Sequence, residues 1–356
     1  MTHETTRFLL GPEAYTDDSW FAREQRHVFS RTWHAVAHVE QIREAGDFVT
    51  TMVGGAPLAI VRRDDGLLSA FHNMCRHRGM AMLDGSGNAG REIECAYHGW
   101  RYDLDGTLRA VPQRRAQFPD LDTASCSLLP ASVDVWEGMV FVNPTPDAAT
   151  LQDVLGALPE HIGSYRPGRL TLVGRVDVPA ACNWKLLVEN HIDVYHLWYL
   201  HRDSLGDFDH NQFEHHQLGP NWASYEPLRH RDADDARLTA GTVAIRELDE
   251  RDRNGLGAHL VFPNTLMASN AEFFMSYAVV PETASSSHIE IRVRAEAAAD
   301  GSALVAAARS FIEEDVHACE RIQASLHSPW FAVGPLARTH EAPITAFQRH
   351  LLDLLA

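Results

Sequence analysis

Short runs of alternating hydrophobic and polar residues fill the chain from about residue 35 to residue 143. They read FVTTMV, PLAIVRR, LLSAFHN, YDLDGTLRAV and VDVWEGMVFVN. A period of two predicts half-buried strands, and Asp64-Asp65-Gly66 and Asp105-Gly106 stand where hairpin turns are expected. The pattern therefore predicts an all-β domain over residues 35–148, ending in the Pro-containing stretch NPTPDAAT.

Helical patterns lie on both sides of this domain. The sequence DDSWFAREQRHVFSRTW at 17–33 predicts an opening helix with Asp18 or Ser19 as its cap. Downstream we expect helices near 183–200 and from about 302 to 327, with strands near 259–280 and 288–296.

The predicted fold class is α+β. An N-terminal helical segment, residues 1–34, is expected to pack on a second domain, residues 149–356. In that second domain, helices flank an antiparallel sheet.

Composition narrows the class of protein. Hydrophobic residues make up 45% and charged residues 22% of the chain, which is typical of a soluble globular protein. A net charge of −17 argues against nucleic-acid binding, and no apolar run is long enough to span a membrane. The N-terminus shows no secretory pattern, and the cysteine count of 5 is odd. We therefore expect a cytoplasmic protein without a disulfide framework.

Two short motifs combine cysteine with histidine on loops between predicted strands. They are Cys75-Arg-His77-Arg-Gly and Cys95-Ala-Tyr-His98-Gly-Trp. Thiolates suit one iron, while neutral imidazoles on a second iron raise the reduction potential relative to an all-cysteine cluster. A structural zinc site is the alternative, but zinc fingers place two cysteines before two histidines, whereas the two types alternate here. The spacing favours a [2Fe–2S] cluster held by Cys75, His77, Cys95 and His98.

The strings CRHRG and CAYHGWRYDLDG resemble the Rieske domain of bacterial aromatic-ring-hydroxylating and related oxygenases. Respiratory-chain Rieske proteins carry a further cysteine in each loop, and the corresponding positions here contain none. Between the motifs, Gly85-Ser-Gly-Asn-Ala-Gly90 matches the dinucleotide pattern G-x-G-x-x-G, but it sits in a loop and runs into the second motif. We therefore expect NAD(P)H and flavin to bind on a partner protein.

A second constellation runs from Asn183 to His201, NWKLLVENHIDVYHLWYLH. Asp193 and His196 are expected to share a helix face. His201 lies about 140° further round an ideal helix, so the helix must end or distort if both histidines bind one metal. Taken alone, two such histidines are common as surface or core residues. The segment resembles the mononuclear iron motif of the same oxygenases, in which both histidines bind Fe(II) and the aspartate bridges to a Rieske ligand.

Oxygen activation at such a site uses two histidines and one carboxylate. The predicted helix 302–327 carries an apolar stripe, and Asp315 falls in its middle, whereas Glu313 and Glu320 fall roughly opposite. The members of the stripe are Leu304, Ala308, Phe311, Ile312, Cys319, Ile322 and Leu326. A carboxylate on an apolar face requires a cation or a strong hydrogen-bond partner. We predict that Asp315 is the third metal ligand, the alternative being a buried aspartate paired with an arginine.

The resemblance extends from about Trp20 to Leu326 and implies a terminal oxygenase with a helix-grip catalytic domain. Such an enzyme takes electrons from NAD(P)H through a flavin reductase, with or without a ferredoxin, and adds oxygen from O2 to a small organic substrate. It also implies a homotrimer in which Asp193 connects His196 with His98 of the neighbouring subunit. Asp193 and Asn190 are the candidate catalytic residues beside the iron. A Rieske electron carrier, which would need only residues 35–145, is the alternative from another class.

Two features of the sequence leave the reaction open. The spacing from Asn190 to Asp193 is one residue shorter than in naphthalene-type dioxygenases, and the late helix resembles choline-, betaine- and carnitine-type monooxygenases. Those amine enzymes often carry glutamate at the bridge, where Asp193 stands here. Monohydroxylation, dihydroxylation and demethylation therefore all stay open. We expect residues 202–275 to form the substrate pocket, with Phe208, Phe262, Asn264, Leu266, Phe273 and Phe274 as its lining or as core.

Overall fold

The computed structural model describes residues 8–205, 208–209, 211, 214–216, 221–229 and 243–356. The chain folds into two compact units. The β unit is Glu24–Leu151, and the α+β unit combines the described residues up to Arg23 with Gln152–Ala356. Parts of residues 202–275, which were predicted to form the pocket, lie outside the described residues. The domain boundaries predicted from the sequence, after residues 34 and 148, stay a prediction.

The helix predicted over residues 17–33 is present as the shorter α2 (Asp18–His27), which is followed by a 3-10 turn at Phe29–Arg31. A further helix, α1 (Glu13–Thr16), precedes it and was not predicted. The predicted cap was wrong, because the Asp17 carboxylate accepts the Ser19 N–H at 2.6 Å. The prediction that the helix continues to residue 33 was also wrong. The Ser30 and Thr32 hydroxyls donate back to backbone carbonyls at 2.6 and 2.9 Å, a local alternative to the helical ladder.

The β unit is built from antiparallel strands and one short helix. In chain order these are β1 (His34–His38), β2 (Asp47–Val53), β3 (Ala56–Arg62), β4 (Leu68–His72), β5 (Ser86–Asn88), β6 (Glu92–Glu94), β7 (Arg101–Asp103), β8 (Leu108–Ala110), α3 (Arg114–Gln117), β9 (Pro130–Trp136) and β10 (Met139–Asn143). Seven strands pair in the order β1-β10-β9-β4-β3-β2-β5, and three in the order β6-β7-β8. The predicted all-β character is confirmed.

Both predicted hairpin turns are present in the β unit. Gly66 (φ 81°) closes the turn between β3 and β4, where the Arg63 N–H donates to the Leu67 carbonyl. Gly106 (φ 89°) closes the turn between β7 and β8. A left-handed φ is easily reached only by residues without a Cβ, so these glycines fix the turns. The prediction that the G-x-G-x-x-G segment is a loop was wrong, because Ser86–Asn88 form β5, which pairs with β2. The segment leads to β6 and not to a helix, as expected.

The α+β unit contains one antiparallel sheet with helices packed on it. Its elements are α4 (Leu151–Leu155), α5 (Leu158–Ile162), β11 (Thr171–Ala180), α6 (Trp184–His191), α7 (Arg202–Leu205), β12 (Glu214–His216), β13 (Trp222–Arg229), α8 (Glu250–Arg253), β14 (Gly255–Val261), β15 (Thr265–Ser269), β16 (Phe274–Thr283), β17 (Ser286–Ala295), α9 (Gly301–Leu326) and α10 (Ala342–Leu355). The strand order is β11-β17-β16-β15-β14-β13-β12. Helix α9 packs on β11 and β17, and α6 packs on β16 and α9. Strand β11 and helix α10 were not predicted from the sequence.

The long helix α9 begins within one residue of its predicted start. The Asp300 carboxylate caps it by accepting the N–H groups of Ser302 and Ala303 at 3.0 and 3.1 Å. Its buried positions are Leu304, Ala308, Ile312, Val316, Cys319, Gln323 and Leu326. Ile322 is 46% exposed, so placing it in the buried stripe was wrong. Gln323 lies there instead, because its amide bonds the Asn183 N–H and the Tyr15 carbonyl.

Within the described part of the chain, we find no helix that combines the length and the apolar character needed to cross a bilayer.

Candidate metal centres

The two Cys-His motifs fold into matching turns at one end of the β unit. In the first, the Cys75 N–H donates to the Met80 carbonyl, and the Gly79 N–H donates to the Cys75 carbonyl at 2.8 Å. In the second, Cys95 makes the same two bonds with Trp100 and Gly99. Gly79 and Gly99 have φ values of 77° and 67°, which favour glycine at the closing position of each turn. The backbone thus forms two equivalent turns, each of which carries one cysteine and one histidine.

The two cysteines and the two histidines of these turns differ in exposure. Cys75 and Cys95 are buried, whereas His77 is partly covered and His98 is exposed. The two Nδ1 atoms lie 3.1 Å apart. Nitrogen ligands about 2.0–2.1 Å from one metal lie roughly 3 Å from each other, so this separation fits a shared metal ion. Burial, the neighbouring His98 and the Arg78 guanidinium lower the pKa of His77, which favours the neutral ring that binds metal.

Aromatic rings hold the imidazoles in place. The rings of Trp100 and His77 stack with centroids 5.1 Å apart and an interplanar angle of 7°. Phe118, which follows α3, meets both rings edge-on at 5.9 and 5.8 Å. Tyr97 covers His98, with ring centroids 3.8 Å apart, and its hydroxyl accepts from Arg78 at 3.0 Å.

Tyr102, which lies in β7 beyond the second turn, was missed from the sequence. Its hydroxyl oxygen lies 3.4 Å from the Cys75 sulfur and accepts the Arg76 N–H at 3.1 Å. Because the Arg76 N–H already donates to this oxygen, the hydroxyl proton is available to the sulfur. Burial and the Cys75 thiol raise the pKa of Tyr102 well above its ordinary value, so the hydroxyl stays protonated.

In the α+β unit, helix α6 ends at His191, and the next turn is a separate 3-10 helix at Tyr195–Trp198. The predicted break in the helix is therefore present. The expectation that Asp193 and His196 share a helix face was wrong, because Asp193 lies between the two helices. Its carboxylate accepts the Tyr195 N–H at 2.5 Å and thereby starts the 3-10 turn. This turn still brings Asp193 Oδ2 to 3.3 Å from His196 Nδ1, without hydrogen-bond geometry.

His196, His201 and Asp315 converge so that one ligand atom of each lies within 4.8 Å of the others. Asp315 Oδ1 lies 2.9 Å from His201 Nε2 and 3.6 Å from His196 Nε2. The Asn190 amide donates to the same oxygen at 2.8 Å. Asp315 therefore has two histidines and an amide as neighbours, and the structure gives it no ion pair with an arginine among the described residues.

The electrostatics of this cluster favour an ionised carboxylate. Burial opposes the ionisation of Asp315, but the hydrogen bond from His201 and the nearby His196 outweigh it and lower its pKa. Burial likewise acts against a charge on His201, but Asp315 and Glu314 outweigh it and raise its pKa. The His201 imidazole thus lies between two carboxylates, Asp315 and Glu314, that favour its protonated form.

Glu314 and the role of His191 were also missed from the sequence. Glu314 Oε2 lies 2.7 Å from His201 Nδ1, on the side of the ring away from Asp315. His191 Nε2 lies 3.1 Å from the Met267 carbonyl, and burial lowers the pKa of His191 to about 4. His191 is therefore a neutral donor beside the cluster. Both residues are adjacent in sequence to predicted site residues, but only the packing of α6 and α9 reveals their contacts.

A cavity of about 60 Å³ opens on the cluster. Its apolar lining comes from the 3-10 turn after α6, from α7, from β14–β16 with the residue before β16, and from α9. The lining residues other than Asn190, His191, His196, His201 and Asp315 are Leu197, Leu205, Leu256, Ala258, Ala268, Phe273, Tyr277, Phe311 and Ile312. The cavity therefore places a mainly hydrophobic space against the three converging side chains.

Of the six residues proposed as pocket lining, Phe273 lines this cavity. The other five are buried and do not line this cavity, as the core alternative predicted: Phe208, Phe262, Asn264, Leu266 and Phe274. Asn264 donates to the Val279 carbonyl at 2.7 Å, and Phe262 packs on Phe347. Phe347 belongs to α10, a helix that was not predicted from the sequence.

Known proteins resemble the chain over both units. Residues 167–356 match the family model of the ring hydroxylating alpha subunit (catalytic domain), and residues 32–131 match that of the Rieske [2Fe-2S] domain. A stretch 34% identical to the biphenyl 2,3-dioxygenase alpha subunit of Rhodococcus jostii covers 52% of this chain and 42% of that protein. Another, 35% identical to the carnitine monooxygenase oxygenase subunit of Escherichia coli, covers 51% and 49%. These matches span less than half the length of the curated relatives.

Solved structures resemble the fold. A quaternary ammonium Rieske monooxygenase bound to an inhibitor superposes with a TM-score of 0.83 at 24% identity, covering 99% of this chain and 96% of that one. Naphthalene 1,2-dioxygenase with bound indole gives 0.76 at 20% identity, covering 96% and 91%. The catalytic-domain model matches more than half of the chain and contains the His-His-Asp cluster, while the Rieske model contains both Cys-His turns. The chain belongs to the family of ring hydroxylating alpha subunits.

Proposed function

We propose that this chain is the terminal oxygenase of a Rieske-type system and that it hydroxylates or oxidatively demethylates a small organic substrate. The observation that carries the proposal is the convergence of His196, His201 and Asp315 on a cavity in a chain that also contains a Rieske domain. An electron carrier would have no use for a cavity lined by two histidines and a carboxylate.

The donors of the β unit fit a [2Fe–2S] cluster. Cys75 and Cys95 offer two buried sulfurs, and His77 and His98 offer two nitrogens at the spacing of ligands to one iron. Two thiolates and two imidazoles are the ligand set that gives a cluster a raised potential. We assign these four residues as the cluster ligands.

The donors of the α+β unit fit a mononuclear iron. Two imidazoles and one carboxylate on one side of a metal, with space on the other side, form the facial set used by non-haem Fe(II) oxygenases. Here the space is the cavity, which borders all three side chains. We assign His196, His201 and Asp315 as its ligands.

When bound, the cluster supplies single electrons and the iron supplies the activation of O2. The protein's own residues prepare the site. Asn190 orients the Asp315 carboxylate through its 2.8 Å hydrogen bond, and Asp193 lies behind His196. The apolar walls, among them Phe273 and Ile312, favour a substrate with a largely hydrophobic body over bulk water.

Electron transfer between subunits of a homotrimer is part of the proposal. His98 is exposed at the tip of the β unit, and in the α+β unit Asp193 is followed by the exposed Tyr195 and Tyr199. Exposed aromatic residues are typical of protein interfaces. Inter-subunit electron transfer has been described for a quaternary ammonium Rieske monooxygenase. We propose that Asp193 connects His196 with His98 of a neighbouring subunit.

The electron donors are proposed to be a flavin reductase that oxidises NAD(P)H, alone or with a ferredoxin. A cytoplasmic location belongs to the same proposal, because none of the five cysteines is paired in a disulfide.

Metal analysis and turnover together test the proposed function. The purified chain should contain about three irons and two acid-labile sulfides, and with a surrogate reductase it should couple O2 uptake to a hydroxylated product. Two irons with two sulfides and no product would favour the electron carrier instead. A zinc-containing chain without sulfide would refute both functions.

A further inference from the structure

The histidine His201 is held from both sides of its ring. Nε2 lies 2.9 Å from Asp315, and Nδ1 lies 2.7 Å from Glu314 Oε2. The ring is only 2% exposed, so these two contacts fix its orientation. Glu314 is the residue that α9 places next to Asp315, and its side chain is 36% exposed.

An ionised carboxylate can only accept hydrogen bonds, so Glu314 requires a proton on Nδ1 of His201. With that proton held by Glu314, Nε2 is the ring atom that faces Asp315 and His196 and can offer its lone pair to a metal. A carboxylate behind a metal-binding histidine fixes the tautomer, fixes the ring plane and makes the ligand more basic.

The other histidine lacks an equally tight support. His196 Nδ1 lies 3.3 Å from Asp193 Oδ2, without hydrogen-bond geometry. The two rings therefore differ in how firmly the protein holds them. His201 is the anchored side of the cluster, and His196 is the looser side.

We propose that Glu314 is a positioning residue that orients His201 and thereby sets the affinity of the His196–His201–Asp315 site for Fe(II). The inference rests on the proposed function, since it takes these three residues as the iron ligands. It assigns retention of the metal to Glu314, a residue that does not itself contact the metal.

The test compares Glu314→Ala and Glu314→Gln with Glu313→Ala. Glu313 is the matched control, because it is the neighbouring residue on α9, is exposed and bonds only Arg309, at 3.4 Å, among its described contacts. Each protein is prepared with its cluster intact, and the dissociation constant of the remaining Fe(II) is measured anaerobically by competition with a chelator. Acid-labile sulfide checks that the cluster is present in every sample.

Glu314→Ala should bind Fe(II) about 10- to 100-fold more weakly than the wild type, the range for loss of such a partner. Glu314→Gln should retain most of the affinity, because its amide oxygen still accepts from Nδ1. Glu313→Ala should bind as the wild type does. With Co(II) in place of iron, the visible absorption bands should shift in Glu314→Ala alone, reporting a changed ligand orientation.

Wild-type affinity and an unchanged Co(II) spectrum in Glu314→Ala would overturn the positioning role and leave the proposed function standing. Equal weakening in the alanine and glutamine variants, with lowered melting temperatures in both, would show a structural role and would also overturn it. If the wild type itself binds no Fe(II) beyond the cluster, the proposed function fails, and the role of Glu314 fails with it.

Discussion

The two candidate metal sites differ in what fixes their geometry. In the β unit, each Cys-His pair lies within one tight turn, and the same backbone bonds close both turns. In the α+β unit, the donors come from a 3-10 turn, the residue before α7 and the middle of α9, so that Asp315 is more than a hundred residues from its partners. The first site depends on local turns, and the second depends on packing.

The two sites also differ in their surroundings. The imidazoles of the β unit lie at its surface, where another protein can reach them. Those of the α+β unit border a hydrophobic cavity, and a carboxylate lies beside each ring. A surface site is suited to passing electrons and an enclosed one to excluding water, so the contrast matches the proposed division of labour.

The variant with the largest expected effect loses the metal of one site and keeps that of the other. Asp315→Ala removes the only carboxylate we assign to the iron, so iron should fall from about three to about two per chain while two sulfides stay. Turnover should drop by at least about a hundredfold, beyond the loss caused by removing an outer partner. Metal and sulfide analysis, with product formation, measures both.

Cys95→Ser should have the opposite effect. The chain should lose the sulfide and the absorption spectrum of the cluster, and it should keep one iron. Loss of both metals in either variant would break the comparison, because it would show that the two sites do not assemble independently.

The next effect concerns the connection between the sites. Asp193→Asn keeps the size of the side chain and an oxygen for the Tyr195 N–H, so both metals should stay bound. Without the negative charge behind His196, turnover should fall roughly 10- to 100-fold. Steady-state O2 uptake and single-turnover reoxidation of the reduced cluster measure it. Normal reoxidation in this variant would refute the bridge.

The contrast also explains how far the sequence could be interpreted. The spacing of Cys75, His77, Cys95 and His98 is local, so the motifs alone predicted the type of cluster. Asp315 followed from helix periodicity, because a carboxylate in an apolar stripe requires a partner. Tyr102 and Glu314 were missed, because their roles depend on which side chain faces them across a fold. Ile322 was misplaced because a hydrogen-bonded Gln323 takes the buried position.

The residues that line the pocket were likewise only partly predictable from the sequence. Alternation along a strand places a residue on one of two faces but does not say which face meets the cavity. Phe273 lines it, whereas the neighbouring Phe274 packs towards Tyr165, with ring centroids 6.0 Å apart. Tyr277 and Phe311 complete the lining from β16 and α9, and their convergence follows from the packing of that helix on the sheet.

A moderate effect of pH on stability is expected from His191 in the α+β unit. The folded pKa of His191 is about 4, below its unfolded value near 6.5, so between these values the unfolded state binds the extra proton. Stability is therefore lost as the pH falls through that window, by roughly 1.4 kcal/mol at pH 5.5. The free energy of unfolding of His191→Gln, measured by urea denaturation, should fall less between pH 7 and 5.5 than that of the wild type. His317→Gln, an exposed control on α9, should behave as the wild type. An equal pH response in all three proteins would show that His191 is not a buried neutral ring.

The smallest expected effect concerns the reduction potential of the cluster. The Tyr102 hydroxyl is positioned to donate to the Cys75 sulfur, and such a bond stabilises the more negative, reduced cluster. Tyr102→Phe removes a bond of about 1 kcal/mol, which corresponds to roughly 40 mV for one electron. The midpoint potential should therefore shift downward by that amount in a spectroscopic titration, while iron and sulfide content stay unchanged. Tyr97→Phe is the matched control, because its hydroxyl bonds Arg78. An equal shift of the midpoint potential in both variants would reflect general solvent access to the cluster. A shift confined to Tyr102→Phe would show that this one hydrogen bond tunes the potential of the electron-donating site without affecting the iron site.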